Sequence, residues 1–348
     1  MKNEKWLKEL LSNLNYWQGR PLSTFYYHPL YHVGVGKKTD LDFIFGKKRK
    51  LPFKNLRKFN FFTLKAPFPE DSVIFFQPSR KRIIVASHSE NKVLKISISP
   101  SQLTFKDKEV ELLKHLETSE FATHSAKVLE VGSNWVVTSF CSNSDSLLNI
   151  PDVEEYLLNN LNPLIMEPLA KFYRSQGIEK INLADWISKA KRRAVGHPSE
   201  EQINKRLDEI EVTDATLVKS LLHFDLHAGN VLKDKENVVI IDWEVSRPGL
   251  VLVDYFDFYR RYLYKDDREQ KLFFAFLTGK GEVPQKLKMF FEKFEGWSKQ
   301  FGVEGLNVKL FTWLYAIERT LIFWENWQEN RLKDKKGLES KIINLIME

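Results

Sequence analysis

The sequence predicts an α+β protein built in two parts, a small β-rich part and a larger, mostly helical one. Two observations support this prediction. Residues 51–140 are rich in β-forming residues and predict the order strand, strand, strand, helix, strand, strand, whereas residues 141–348 have mainly helical patterns. Apolar residues make up 43% of the 348 residues, which allows a sizeable core.

Five strands and one helix account for the β-rich part. Runs of β-branched and aromatic residues between turn-forming residues indicate the strands. They are Ser72–Gln77, Arg82–Ser87, Lys92–Ile98, Ala126–Val131 and Trp135–Phe140. A turn at Pro78–Lys81 joins the first two strands, and Gly132-Ser133-Asn134 joins the last two into a hairpin. Between them, apolar side chains at helical spacing predict a helix over Phe105–Leu116.

The helical part begins with three predicted helices and contains a short β segment. The helices are Asp152–Ser175, Asn182–Arg193 and Glu200–Ile210. Two short apolar strands follow at Leu221–Phe224 and Val238–Ile241, and Asn230–Leu232 can pair with the second. From Val253 onward the pattern predicts packed helices.

Residues 1–50 are predicted to form an N-terminal extension of unknown role. Apolar side chains at helical spacing predict a short amphipathic helix near its start. They are Trp6, Leu7, Leu10, Leu11 and Leu14. Charged residues interrupt the first positions, so no hydrophobic core of a signal peptide forms there.

The location of the protein is predicted from its apolar runs and its cysteine content. The longest apolar runs, such as Leu272–Leu277, are too short to cross a bilayer. Cys141 is the one cysteine of the sequence, which excludes an intramolecular disulfide and suits a reducing compartment. We therefore expect a cytoplasmic protein that is not transmembrane.

The net charge is +7, and basic residues crowd into Lys47–Lys58. Such a run can make weak contact with an anionic surface, although it is more often a solvated face. The sequence has no aromatic-interleaved basic repeat and no zinc-finger spacing, so no specific nucleic-acid partner is predicted.

One segment, His223–Asn230, has the residue types that phosphoryl transfer needs. In this reaction a carboxylate orients the acceptor hydroxyl and takes its proton, and oxygen ligands hold Mg²⁺ against the phosphates. Asp225 lies five residues before Asn230, and Asp242 follows at the end of the next predicted strand. Asp225 would then be the base, and Asn230 and Asp242 would bind the metal. His223 would brace the loop by hydrogen bonding.

The same segment carries a resemblance to a known family. His-Phe-Asp-Leu-His-Ala-Gly-Asn at 223–230, followed by Ile241-Asp242-Trp243-Glu244, resembles the aminoglycoside phosphotransferase and choline kinase family, which is similar to protein kinases. The resemblance implies a bilobal protein-kinase-like fold with a small antiparallel sheet lobe (51–140) and a larger helical lobe (141–348). It also implies ATP and Mg²⁺ as cofactors, and a structural role for Asp254.

The resemblance extends to the β-rich part. Lys95, in Val-Leu-Lys-Ile, matches the lysine that holds nucleotide phosphates in this family, and Glu109 in the next helix is its expected ion-pair partner. Glu111 is the rival partner, on a different side of the helix. The strand Trp135–Phe140 would lead into the adenine-binding hinge, so adenine would contact backbone groups near Ser139–Cys141.

Departures from the family pattern leave alternatives open. The turn Pro78–Lys81 lacks the glycines that let backbone amides approach phosphate, and this favours a catalytically weak pseudokinase as the alternative function. No Ala-Pro-Glu segment follows Asp242, which favours a small-molecule or glycan hydroxyl as acceptor over a protein.

A strongly acidic cleft would indicate a polycationic aminoglycoside as the acceptor. Five acidic residues could form one, although the basic balance of the chain argues against it and ranks metabolic or glycan phosphorylation above drug resistance. They are Asp254, Asp257, Asp266, Asp267 and Glu269.

Overall fold

A computed structural model describes residues 23–28, 33–35, 62–66, 68–77, 82–87, 89–97, 100–139, 145–146, 152–234, 237–263 and 266–330. The chain divides into two compact units, one formed by Met1–His115 with Ala126–Asn143 and the other by Leu116–Ser125 with Ser144–Glu348. Several sequence predictions lie outside the described residues. These are the helix near the N-terminus, the basic run Lys47–Lys58, the turn Pro78–Lys81 and Cys141.

An eight-stranded sheet forms the first unit, and all its neighbouring strands are antiparallel, in the order β3-β1-β2-β4-β5-β6-β8-β7. The strands are β1 (Ser23–His28), β2 (Val33–Val35), β3 (Phe62–Ala66), β4 (Val73–Gln77), β5 (Arg82–Ser87), β6 (Lys92–Ser97), β7 (Val128–Val131) and β8 (Trp135–Ser139). The predicted strands from residue 72 onward are confirmed with shifts of one or two residues. The first three strands were not predicted, and β1 and β2 extend the sheet into residues 1–50.

Alternating burial explains why these runs form strands. In β4, Ile74 and Phe76 are buried, whereas Phe75 between them is 37% exposed. Successive side chains of a strand point to opposite faces, so one face of this sheet carries the core of the unit. In β6 the same alternation buries Leu94 and Ile96.

One helix, α1 (Pro100–Leu116), follows β6, as predicted, and it begins five residues earlier than the sequence indicates. Its buried Lys106 donates two hydrogen bonds to the β7–β8 turn, to Gly132 O at 2.8 Å and Ser133 O at 3.0 Å. These bonds tie the helix to the hairpin. Gly132 is required in this turn, because a Cβ there would lie 2.2 Å from the indole of Trp135.

The second unit is mostly helical. Its helices are α2 (Val153–Leu161), α3 (Glu167–Gln176), α4 (Leu183–Ala194), α5 (Glu200–Asp208), α6 (Leu252–Leu263), α7 (Asp267–Leu277), α8 (Gln285–Ser298) and α9 (Val308–Asn330). The single helix predicted over 152–175 is divided by a π-helical turn at Asn162–Met166. Pro163, the second residue of this turn, and Pro168, two residues after it, lack a backbone N–H and explain the break. Among the described residues, none of these helices is both long and apolar enough to cross a membrane.

Two small antiparallel sheets carry the segments of chemical interest. One has the order β10 (Glu179–Asn182), β11 (Thr216–Leu222), β14 (Arg247–Leu250), and the other has the order β13 (Asn237–Ile240), β12 (Val231–Asp234), β9 (Asp145–Ser146). The predicted strand Leu221–Phe224 therefore starts earlier and stops at Leu222. The reason is that the N–H groups of His223 and Phe224 bond to a buried carboxylate rather than to a strand.

Candidate active site

The loop His223–Asn230 connects β11 to β12 and is anchored at its start by Asp254 of α6. Asp254 is fully buried. Its Oδ2 accepts hydrogen bonds from the His223 N–H at 2.8 Å and the Tyr173 hydroxyl at 3.0 Å, and its Oδ1 accepts one from the Phe224 N–H at 2.8 Å. The carboxylate thus holds the first two peptide groups of the loop, which gives Asp254 the structural role that the resemblance implies.

Burial sets the electrostatics of this anchor. Burial raises the pKa of Asp254, and the N–H bonds from Phe224 and His223 partly oppose that rise. Burial also raises the pKa of Tyr173 well above its usual range, and the adjacent Asp254 raises it further, so the Tyr173 hydroxyl remains a donor. Because all its contacts are made within the protein core, Asp254 serves the fold rather than a substrate.

His223 joins the loop to the strand end that carries Asp242. Its side chain is fully buried, and its Nδ1 accepts the Asp225 N–H at 3.3 Å. Nδ1 therefore carries no proton, so Nε2 donates to Ile241 O at 2.8 Å. The ring also lies edge-on to Trp243, with the ring centroids 4.6 Å apart. His223 is a positioning residue in this arrangement, in line with its expected bracing role.

Phe224 adopts a left-handed backbone conformation, with φ at +66°. For a residue other than glycine this conformation costs about 1–3 kcal/mol and persists only where surrounding contacts enforce it. Arg319 of α9 supplies such contacts: its Nη1 donates to Phe224 O at 3.3 Å, and its guanidinium lies 4.6 Å from the ring centroid. The same Nη1 donates to the buried Asp257 at 2.8 Å.

The Asp225 carboxylate is more open than these anchors, with 24% of its side chain exposed. Its Oδ1 lies 3.4 Å from Arg261 Nη2 and 3.9 Å from His227 Nε2. Among the described residues, its Oδ2 accepts no hydrogen bond. Oδ2 therefore keeps its capacity to accept a hydroxyl proton, which a base for an acceptor alcohol requires.

Asn230 and Asp242 are brought next to each other by strand pairing. Asn230 O accepts the Ile241 N–H at 3.0 Å, so Asp242 follows directly after the residue paired to Asn230. Asn230 Nδ2 donates to Asp225 O at 2.8 Å, which leaves the amide oxygen for a ligand. Asp242 has φ at +68° and begins a 3₁₀ turn, Trp243–Val245.

These two side chains fit Mg²⁺ by the chemistry of their donors. Mg²⁺ prefers oxygen ligands and is commonly held by one or two carboxylates together with substrate phosphates and water. The part of the chain that the structure describes has no cluster of three or more His, Cys, Asp or Glu arranged for a metal. An amide oxygen with one carboxylate is therefore the donor pair that this loop offers.

In the first unit, Lys95 and Glu109 form an ion pair. Lys95 Nζ donates to Glu109 Oε1 at 2.7 Å, and the two side chains are 15% and 4% exposed. The rival Glu111 is exposed, so the helix presents Glu109 to the sheet. Their role in binding a nucleotide stays a prediction.

Ser139 is already engaged in the β7–β8 hairpin. Its N–H donates to Lys127 O at 2.8 Å, and its hydroxyl accepts the Lys127 N–H at 2.9 Å. Binding of adenine by the Ser139 N–H would require this pairing to break. Cys141, the other residue expected at the hinge, lies outside the described residues, so the adenine contacts stay a prediction.

Comparison with known proteins supports the chemistry that this geometry suggests. Residues 166–290 match the model of the phosphotransferase enzyme family, APH. The matched stretch contains the whole loop, both candidate metal ligands and Asp254. The predicted resemblance is therefore confirmed over these residues, and the family match and the site geometry together support a phosphotransferase. No curated protein matches this phosphotransferase-like chain.

Several solved structures are similar to the chain at low sequence identity. A choline/ethanolamine kinase family protein from Mesorhizobium loti is 14% identical, with a TM-score of 0.42 over 78% of this chain and 86% of that one. Macrolide 2'-phosphotransferase MphH from Brachybacterium faecium is 13% identical, with a TM-score of 0.44 over 79% and 91%. Choline kinase LicA from Streptococcus pneumoniae is 13% identical, with a TM-score of 0.43 over 76% and 88%.

The predicted fold class of this phosphotransferase-like chain is confirmed. The first unit is an antiparallel sheet with one long helix among the described residues, and the strand with Lys95 is followed by the helix with Glu109, as predicted. The second unit is mostly helical and holds the loop, the strand after it and the buried aspartate.

Sequence reasoning missed two arginines that contact the loop. Arg261 reaches Asp225 from 36 positions away, and Arg319 reaches Phe224 from 95 positions away. No motif links such distant residues to the loop. The one available signal was Arg319 itself, a charged residue inside the long apolar pattern of α9.

Proposed function

We propose that this protein is an ATP- and Mg²⁺-dependent phosphotransferase that moves the γ-phosphoryl group of ATP to a hydroxyl of a small molecule or glycan, in the cytoplasm. The observation that carries the proposal is the convergence of Asp225, Asn230 and Asp242 at the ends of β11 and β13. A buried network fixes the loop backbone, while the Asp225 carboxylate stays half-open.

Asp225 is assigned the role of base. The acceptor hydroxyl lies against its free Oδ2, and the hydroxyl oxygen bonds to the γ-phosphorus of ATP as the bond from that phosphorus to the β,γ-bridging oxygen breaks. ADP leaves with that electron pair, and the hydroxyl proton passes to Asp225. Positioning and charge stabilisation provide most of the rate enhancement in such reactions.

Asn230 and Asp242 are assigned to Mg²⁺, which neutralises charge on the phosphate oxygens when bound. In the first unit, Lys95 is assigned to the α- and β-phosphates, with Glu109 holding its ammonium group in place. An ion pair at 2.7 Å with little exposure is well suited to this, because the lysine keeps its charge and its position.

The second candidate is a pseudokinase, a nucleotide-binding or scaffold module without catalysis. One observation favours it: Arg261 already pairs with the residue assigned as base. The two candidates differ in turnover, since both would bind nucleotide.

The test is Mg²⁺-dependent ADP release with pools of hydroxyl-bearing metabolites and sugars, for wild type, Asp242→Ala and the control Glu282→Ala. Glu282 is exposed and precedes α8, so its loss leaves the site intact. We expect acceptor-stimulated release that falls about 10³-fold in Asp242→Ala only, since a metal ligand contributes several kcal/mol of transition-state stabilisation. ATP binding without stimulated release would favour the pseudokinase, and the absence of Mg²⁺-dependent ATP binding would overturn the proposal.

A further inference from the structure

Arg261 occupies a special position on α6. Asp254, Asp257 and Arg261 stand at positions i, i+3 and i+7, which lie on one face of a helix. Two residues of this face contact the catalytic loop directly, since Asp254 holds its first peptides and Arg261 reaches Asp225, whereas Asp257 acts through Arg319, which contacts Phe224. Arg261 is the outermost of the three, with 39% of its side chain exposed.

The contact between Arg261 and Asp225 is loose. Its length, 3.4 Å, exceeds the 2.7–2.9 Å typical of charge-assisted bonds between guanidinium and carboxylate groups. Among the described residues, Arg261 uses one of its five N–H groups there, and its Nε is buried without a hydrogen-bond partner, so a further ligand would bind at the terminal Nη groups. The guanidinium therefore retains the capacity to bind a second anion beside the base.

The acidic residues that were considered for a cleft around a cationic acceptor are engaged elsewhere. Asp257 accepts bonds from Arg260, Tyr315 and Arg319, at 3.2, 3.0 and 2.8 Å. Glu269 is buried and accepts the Tyr259 hydroxyl at 2.6 Å.

Asp266 caps the start of α7 by accepting the N–H groups of Arg268 and Glu269. With Asp254 holding the loop, four of the five candidates serve the fold, and Asp267 alone is exposed. An acidic cleft for a cationic acceptor is therefore not built from these five residues.

His227, the other side chain beside the base, adds a neutral donor. Burial lowers the pKa of His227; Asp225 raises it, and Arg261 lowers it again. Its Nδ1 accepts the Gly229 N–H at 3.0 Å, so Nε2 carries the proton and faces Asp225. Among the described residues, the side chains that contact the Asp225 carboxylate are thus a guanidinium and an imidazole N–H, both of which suit an anion rather than an ammonium group.

We propose that Arg261 determines acceptor specificity by binding an anionic group of the acceptor, a carboxylate or a phosphate, next to the hydroxyl that Asp225 orients. The inference rests on the proposed function and narrows its acceptor class to hydroxyl compounds that carry a negative charge. A guanidinium binds a carboxylate and a phosphate alike through paired N–H donors, so an experiment must distinguish the two groups.

The test uses four sugars that differ in charge: glucose, glucuronate, glucose 1-phosphate and glucosamine. Their binding to the full chain, loaded with Mg²⁺ and a non-hydrolysable ATP analogue, is measured by calorimetry. We expect the anionic sugars to bind about 10- to 100-fold more tightly than glucose, the effect of one hydrogen bond to a charged group. Preference for glucuronate over glucose 1-phosphate would identify a carboxylate, and the reverse a phosphate.

Variants separate binding from a structural role. Arg261→Gln should abolish the preference, Arg261→Lys should keep part of it, and Arg261→Glu should shift it to glucosamine. Arg268→Gln, an exposed arginine on the next helix, is the control and should bind like wild type. Thermal unfolding verifies that each variant folds.

Two outcomes overturn the proposal: anionic sugars that bind wild type no better than glucose, or a preference that survives Arg261→Gln. Nucleotide binding distinguishes this failure from failure of the proposed function, because Arg261→Gln should bind ATP like wild type. Loss of Mg²⁺-dependent ATP binding in wild type would instead remove the phosphotransferase assignment.

Discussion

Two neighbouring parts of the catalytic loop differ in how tightly the protein holds them: the anchored end, His223 with Phe224, and the open end, the Asp225 side chain. At the first end, His223 and Phe224 are buried, and their N–H groups bond to a fully buried carboxylate at 2.8 Å. At the second, Asp225 is 24% exposed and meets Arg261 at 3.4 Å. Both ends involve an aspartate, yet the backbone of His223 and Phe224 is fixed, whereas the Asp225 carboxylate can exchange its hydrogen-bond partner.

This difference shows how the loop combines strain with reactivity. The left-handed Phe224 is tolerated because Asp254 and Arg319 hold it from two helices. Once the backbone is fixed there, Asp225 is aimed without needing side-chain contacts of its own. A base must keep its lone pairs for the substrate. The Asp225 carboxylate therefore accepts few hydrogen bonds, whereas the structural Asp254 carboxylate accepts several.

The largest effect is expected on the open end, from Asp225→Asn. Asparagine keeps the size of the side chain but cannot take the hydroxyl proton, so kcat should fall about 10²- to 10⁴-fold. ATP affinity and the free energy of unfolding should change little, because few contacts are lost. Acceptor-stimulated ADP release and Mg²⁺-dependent ATP binding check this. Turnover equal to wild type would remove Asp225 as the base.

The next effect is expected on the anchored end, from Asp254→Ala. The change leaves the N–H groups of His223 and Phe224 and the Tyr173 hydroxyl buried without their acceptor, each at a cost of about 1–3 kcal/mol. We expect the free energy of unfolding to fall by about 3–5 kcal/mol, since such losses do not add fully. Denaturant unfolding measures it, with Asp267→Ala as the exposed control. A loss below 1 kcal/mol would contradict the anchor.

The same contrast decides what the sequence could predict. The residues at His223–Asn230 and Asp242 belong to one local pattern of spacing. Lys95 and Glu109 lie on consecutive elements, and the family resemblance paired them, with Glu111 left as the rival partner. Arg261 and Arg319 contact the loop across 36 and 95 positions, and no local pattern links either residue to the loop. Both arginines are set by how α6 and α9 pack against the loop.

Departures in the fold have similar causes. The apolar run Leu221–Phe224 looks like a strand, but a carboxylate from a distant helix takes the N–H groups that the strand would use. The strand β2 is three residues long, too short for an alternating pattern to indicate it. The helix predicted over 152–175 has the right period but breaks where two prolines remove donors.

A smaller effect on the anchored end is expected from Arg319→Met. Methionine removes the donor to Phe224 O and the cation over its ring, while Asp257 keeps Arg260 and Tyr315 as partners. We expect about 2 kcal/mol of stability loss and a lower kcat with an unchanged KM for ATP, because Asp225 is then aimed less well. Unfolding and steady-state kinetics, with Arg268→Met as the control, test both parts. An unchanged kcat would show that Arg319 of α9 does not help to position Asp225.

Protonation of the buried His124, which contacts β13, should lower the free energy of unfolding slightly. His124 Nδ1 donates to Val238 O at 2.9 Å, in the strand β13 that leads to Asp242. Burial lowers the pKa of His124, the bond to Val238 raises it, and the charge of Lys171 lowers it. In the unfolded chain its pKa is about 6.5. The unfolded state therefore binds the proton at a higher pH than the folded state does. The contribution of His124 to the free energy of unfolding is complete above about pH 6.5, and it is lost as the pH falls towards the pKa of the folded state.

The expected loss from His124 is at most about 1.4 kcal/mol between pH 7.5 and 5.5, because one group with an unfolded pKa of about 6.5 can contribute no more than that. Denaturant unfolding at several pH values measures it, and His124→Gln should flatten the dependence. The exposed His115, changed to Gln, is the control. A dependence that is identical in wild type and His124→Gln would show that other groups cause it.

The smallest effect on stability is expected from Arg261→Gln, at the open end. An ion pair of this length between side chains that are 39% and 24% exposed contributes only about 0–1 kcal/mol, because water screens it. The free energy of unfolding should therefore stay within about 0.5 kcal/mol of wild type while acceptor selectivity changes. Denaturant unfolding of Arg261→Gln beside Arg319→Met makes the comparison directly. A loss as large as that of Arg319→Met would place Arg261 among the anchors and remove the distinction between the two ends of the loop.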